Sequence, residues 1–226
     1  MDEALLEDIR GAGYWRINLR PLSSLAEKLS IQKCRDVVSA SSVELRGWDY
    51  PHVVRGNDQH SGVTNGDGYF EAWVSFMMQR EFWRMYQSGQ FLHYRSMWED
   101  RDDFANMPAR PFLSIEGVIY LFTEIAEFTS RLAAALKLKD GFGISIEARQ
   151  TNGRRLWVGQ NRMPFFEPKT TAAEKVVIAA PLMVDGLQSP QQVALAMCKD
   201  FFDRFGWNPS DDQIQGDQTR LLKRQW

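Results

Sequence analysis

The stretch IEGVIYLFTEIAEFTSRLAAAL (115–136) constrains this chain most. Its apolar residues recur at three- and four-residue intervals, with Ile119, Phe122, Ile125, Ala126 and Leu132 on one face. That period predicts a long amphipathic helix, with Ile119, Phe122, Ile125 and Phe128 on its buried side. So broad an apolar stripe needs an equally broad partner, and the segments around it alternate in the manner of strands. In YWRINLRP, Trp15, Ile17 and Leu19 face one way and Arg16, Asn18 and Arg20 the other, until Pro21 stops the run. VELRGW (43–48), YFEAWVSF (69–76) and QFLHYRSMW read as further strands.

The remaining segments complete the reading. DEALLEDIR (2–10) predicts a short acidic helix, and Ser23 or Ser24 can cap another through AEKL. Residues 55–68, rich in Gly, Asn and Asp, read as a loop. In REFWRMYQSG the spacing of Phe82, Met85 and Tyr86, with Gly89 at a C-cap position, predicts a short helix. Asn152-Gly153 between GISIEARQ and RLWVGQ predicts a hairpin, and EKVVIAAPLMV a central strand. SPQQVALAMCKDFFDRFGW carries Ser189 as cap, Pro190 in the first helical position and Gly206 at the end. Strands cluster without regular βαβ alternation. The expected class is therefore α+β, a mixed or mostly antiparallel sheet with helices packed on it. One domain is expected over 1–207, with a division near 104–114 as the alternative and a polar tail over 208–226.

With 226 residues, 44% of them hydrophobic, the chain can bury a core without disulfides or a structural metal. Its net charge of −2 supplies no global basic field for nucleic acid, which leaves only a local basic patch to serve that purpose. Cys34 and Cys198 stand apart from any CxxC pair, against a zinc ribbon, a redox dithiol or a disulfide scaffold. No apolar run is long enough to span a bilayer and MDEALLEDIR has no signal-peptide character, so a cytoplasmic protein with no membrane association is expected.

The chemical residues fall into three groups. Asp49, His52, Asp58 and His60 could gather round a cation, but polar loop residues more often bond their own backbone. With no close His pair, no metal is expected. The segments SVELRGWDYPH and QSGQFLHYR bring together Arg46, Trp48, His52, Gln90, His93 and Arg95, beside Gln87 and Tyr94. Planar donors among aromatic rings suit stacking on bases and forked contacts to phosphate or carboxylate. The same residues could equally form cation–π contacts inside the fold. If QFLHY pairs alongside the strand leading into RGWDYPH, these six converge as a ligand-binding patch. Last, Glu99, Asp100, Asp102 and Asp103 follow a strand, where metal-dependent nucleases hold ligands, and Glu147 lies on a strand without a lysine two residues on. No phosphate-loop, dinucleotide or serine-elbow motif occurs, so no catalytic residue and no cofactor is assigned. TRLLKRQW reads as a frayed tail or a docking peptide.

The words RGWDYPH (46–52), FWRMYQSGQFLHY (82–94) and FFDRFGW (201–207) resemble bacterial proteins associated with Schlafen-type regulators and antiviral defence loci. The resemblance implies a module that works beside a partner protein, a sensor or adaptor in a multi-protein system. Two readings follow, beside a purely structural subunit, which fold and aromatic content leave open. The first is a non-catalytic module recognising a nucleic acid, a nucleotide or a partner protein. The alternative is a phosphodiester hydrolase using His52 or His93 with acidic partners.

Overall fold

A computed structural model gives the fold and describes residues 3–101, 108–159 and 162–225. Asp102 and Asp103 of the acidic run lie outside the described residues, as do positions 104–107 of the expected connection. The long helix forms as its period demands: α3 spans Ile115–Ala135, capped by the Ser114 hydroxyl accepting from the Gly117 amide. Ile119, Phe122, Ile125 and Phe128 are at most 1% exposed. Burial extends round most of the helix because it is packed from several sides, by α2 (Ile31–Ser41), α4 (Pro190–Asp203) and α5 (Asp211–Leu222), with the sheet beneath.

That sheet has seven strands, all antiparallel: β1 (Tyr14–Pro21), β2 (Ser61–Gly66), β3 (Tyr69–Phe76), β4 (Gln79–Tyr86), β5 (Phe91–Ser96), β7 (Gly141–Arg149) and β9 (Lys175–Met183), in the order β2-β3-β4-β5-β1-β7-β9. A separate parallel pair joins β6 (Phe112–Ser114) to β8 (Arg155–Trp157). The expected α+β architecture is thus the one observed. In β1 the alternation read from the sequence holds: Trp15, Ile17 and Leu19 enter the core opposite Arg95, His93 and Phe91 of β5. Arg16, Asn18 and Arg20 face the other way, onto a surface that α1 (Glu3–Arg10) covers over β4 and β5.

Several local expectations fail, each for a physical reason. REFWRMY is strand β4, not a helix. Its alternation is hidden because large apolar residues occur on both faces: Trp83 and Met85 enter the main core, while Phe82 packs under Leu5 and Ile9 of α1. Gly89, with φ of +86°, makes the following turn, where a Cβ would sit 3.0 Å from Pro21. VELRGW is not a strand; its backbone makes an isolated bridge, Val43 to Tyr50, and no ladder among the described residues. The helix begins at Ser30, whose hydroxyl accepts from the Lys33 amide, rather than at Ser23 or Ser24. Strand β2 occupies part of the expected loop. The Asn152-Gly153 turn does not close a hairpin, because β7 pairs with β1 and β9 while β8 pairs with β6. EKVVIAAPLMV is the edge strand β9; Val176 and Ile178 face the core, Val177 and Met183 the solvent, and Pro181 is tolerated because an edge lacks one ladder. The polar C-terminal segment folds as α5, anchored by buried Ile214 and Leu221.

Candidate functional site

The irregular segment 42–60 folds over one end of the core, anchored on β4, β5 and α3. Because it lacks a sheet ladder, its side chains supply its anchors. Arg46 forks onto Glu124 of α3, Nε to Oε1 at 2.8 Å and Nη2 to Oε2, with its Cζ 5.6 Å from the Tyr120 ring centre. Glu124 is fully buried, whereas the Arg46 side chain keeps 26% of its surface. Trp48 Nε1 donates to Glu81 Oε1 at 2.7 Å, and His93 Nε2 meets the other oxygen, Oε2, at 2.7 Å. The Glu81 carboxyl, although buried, is held down to about 2 by His93, Arg95 and Trp48. His93 titrates lower than usual, since burial outweighs the attraction of Glu81. Its Nδ1 is buried without a partner among the described residues, so protonation there would strand a donor. The neutral ring, donating from Nε2, is the stable form.

His52 is clamped from several sides. Its ring stacks on Trp48 at 4.0 Å between centres, its Nδ1 meets Asp49 Oδ1 at 2.5 Å, and its carbonyl accepts from Trp83 Nε1 at 2.8 Å. Asp49 is fixed in turn by the Val53 amide on Oδ2 at 3.0 Å. Burial opposes the charged ring, but the hydrogen bond and charge of Asp49 more than offset it and raise the His52 pKa above its ordinary value. Nε2 has no partner among the described residues. His52 lines a cleft of about 530 Å³ together with Glu44, Arg46, Arg55, Asn57 and Asp58. The far wall is self-bonded: Asp58 Oδ1 accepts from the His60 and Ser61 amides, and Asn57 Oδ1 from the Val63 amide.

Five of the six residues singled out in the sequence meet here. Arg46, Trp48 and His52 form the upper tier, and His93 and Arg95 of β5 the tier beneath. They do so through Glu81 and α3 and not through strand pairing, since β5 is flanked by β4 and β1. Gln90 is elsewhere; its Nε2 donates to Asn18 Oδ1 at 2.8 Å on the other face of the sheet. Arg95 Nη2 donates to Gln79 Oε1 at 3.1 Å. Together with Arg46, Arg95 borders an interior cavity of about 20 Å³ beside Ser96, Trp98 and Glu99, enough for one water. Among the described residues no three His, Cys, Asp or Glu side chains are gathered as for a metal ion, and the His60 ring meets Phe76 edge-on at 5.4 Å between centres. Glu99 and Asp100 serve the fold: Glu99 accepts from the Ser114 amide and Asp100 pairs with Arg154.

Sequence reading missed Glu81 and Glu124. Both carried a signal, an acid recurring in an apolar row: Glu81 in step with Trp83 and Met85, Glu124 within the most apolar helix. Compared with known proteins, the chain matches no family model, and no curated protein and no solved structure is significantly similar to it.

Proposed function

We propose that the chain is a recognition module whose cleft over 44–61 holds an anionic group, phosphate or carboxylate, as a nucleotide or a partner's acidic side chain would present it. The clamped His52 carries this reading. A solvated histidine needs no carboxylate on one nitrogen, indole on its face and an indole N–H on its carbonyl. Such bracing fixes the direction of the remaining donor, Nε2, before any ligand arrives, which lowers the ordering cost of binding. Around the cleft Arg46 is matched by Glu124, His52 by Asp49 and Asp58 by its own loop amides. Exposed Arg55 and exposed Glu44 stand on the rim as one cation and one anion, so it is the orientation of the His52 donor and not a net positive charge that supports the reading. The module acts in the cytoplasm beside a partner protein of a bacterial defence-type system; the two buried free thiols, Cys34 and Cys198, suit a reducing compartment.

Calorimetric titration with a panel of nucleoside monophosphates and inorganic phosphate tests the reading. Binding should weaken as pH rises through the elevated His52 pKa and should disappear in His52→Ala, in a protein that circular dichroism shows to be still folded though less stable for want of the Trp48 and Asp49 contacts. Binding that ignores both pH and His52→Ala would refute it. The Asp49–His52 pair favours a second reading, hydrolysis of a phosphodiester, because a carboxylate-oriented imidazole with Nε2 open is the arrangement of a general base. His93 is unsuited to that role, being wholly buried against Glu81. Turnover of a chromogenic phosphodiester, lost in His52→Ala, would favour this second reading.

A further inference from the structure

The face of the sheet opposite α3 carries a second feature. Among the described residues α1 is the helix that packs there, over β4 and β5. Antiparallel sheets commonly leave one face to water, and such a face ordinarily bears exposed, loosely held polar groups. This one does not. Glu71, on the outward row of β3, is 0% exposed, and Glu147, on the outward row of β7, is 8% exposed. Each lies beneath arginine. Arg84 Nε donates to Glu71 Oε2 at 2.5 Å, with its Cζ 4.6 Å from the Tyr69 ring centre. The Tyr69 ring lies flat on β2, where a Cβ added at Gly66 would fall 2.1 Å from it, and Tyr86 stands 5.5 Å away. Arg16 spans Glu147, through Nη1 at 2.5 Å, and the Tyr94 hydroxyl, through Nε at 3.0 Å; Arg149 takes the other Glu147 oxygen. Arg20, on the same row of β1, is exposed.

Four guanidiniums (Arg16, Arg20, Arg84, Arg149) therefore accompany two carboxylates on the strands, a local positive surplus on a chain of net negative charge; α1 brings Glu3, Glu7 and Asp8 to the same side, Asp8 being paired with Arg80 and Arg101. Two of the four are stacked or bonded to tyrosines. Arg84 and the β1 arginines are two strand spacings apart, about 10 Å, so a polymer laid across the strands meets a cation repeatedly. Planar guanidiniums braced from below, with tyrosine rings alongside, suit unpaired bases and the phosphates that join them. We propose that the outer sheet face binds single-stranded nucleic acid, its bases stacking on Arg84 and Tyr86 and its phosphates lying on Arg20 and Arg16. This surface is separate from the His52 cleft, on the opposite side of the sheet.

Fluorescence anisotropy with labelled single-stranded RNA and DNA of about 15 nucleotides tests it, beside the matching duplex and polyglutamate. Saturable binding to the single strand is expected, stronger than to the duplex and absent for polyglutamate; whichever of RNA and DNA binds more tightly identifies the source. Arg20→Ala, at an exposed position that leaves the braced pairs intact, should weaken binding about tenfold and lower the salt slope by about 1. Tyr86→Ala should weaken it with the salt slope unchanged, and His52→Ala should leave it untouched, which separates this surface from the cleft. No saturable binding, equal binding of duplex or polyglutamate, or an Arg20→Ala protein that is folded and binds as tightly as the parent would overturn the proposal.

Discussion

Arg46 has a structural duty that no cleft ligand needs to explain. Its fork on Glu124 neutralises a carboxylate that is wholly buried in the middle of α3. Removing one partner of such a pair leaves the other charged and unsolvated, at a cost of about 3–5 kcal/mol, while replacing both by apolar side chains is often neutral. Arg46→Ala should therefore lower unfolding free energy in urea by that amount, and Arg46→Met with Glu124→Leu should recover most of it. A single variant as stable as the parent would mean that Glu124 is held some other way. The sequence shows that Arg46, Trp48 and His52 cluster within a short word, because planar donors and rings are conspicuous there. It does not show what they bind to, because Glu81 and Glu124 are distant in the chain and a lone acid in an apolar row reads as noise until strand and helix faces are known. Gln90 illustrates the reverse. It neighbours His93 in sequence, but adjacent positions in a strand point to opposite faces, and Gln90 lies at the far end of β5 from Arg95.

Among elements, legibility followed how much of the period survived burial. α3 and β1 keep one apolar side or one clean alternation, and both are where the residues place them. β4 carries rings on both rows, Phe82 under α1 on the outer one and Trp83 on the inner one, so period two is blurred and the aromatic spacing imitates a helix. α5 escaped for the opposite reason. It is polar almost throughout, and its start is marked by the Ser210–Gln213 capping box and two acids in the first turn rather than by an apolar run. Its place depends on few apolar contacts, chiefly fully buried Ile214 and Leu221 against α3 and α4. Ile214→Ala should destabilise the protein by about 2–5 kcal/mol, the range for deleting a buried branched side chain. Hydrogen exchange should show faster exchange across 211–222 than in α3. Uniform loss of protection would instead make α5 part of one cooperative unit with the core.

At the scale of the whole molecule, the class was readable because clustered strands without βαβ units leave few alternatives, whereas strand order was not, since β1 pairs with β5 and β7 across long intervals. Folding has also buried an unusual set of ionisable groups, and their directions fix how stability answers pH. Glu81, Asp100 and Glu147 titrate below their ordinary range, so each contributes stability above its unfolded pKa and loses it as pH falls. Glu99 behaves oppositely. Burial raises it from 4.5 to about 7, against the lowering influence of the Ser114 amide and Arg154. The folded state keeps a proton that the unfolded chain gives up. Its contribution is complete below pH about 4.5 and declines until pH passes about 7. That span corresponds to about 3 kcal/mol. Glu99→Gln imitates the protonated side chain at every pH. Urea unfolding at a series of pH values should find variant and parent alike near pH 4.5, with the variant gaining steadily until pH has passed the Glu99 pKa of about 7. His52, also raised, adds a further loss on the alkaline side that the variant retains. Parallel profiles for the two proteins would mean that Glu99 is already ionised in the fold. The interior cavity it shares with Arg46 and Arg95 would then have to stabilise that charge.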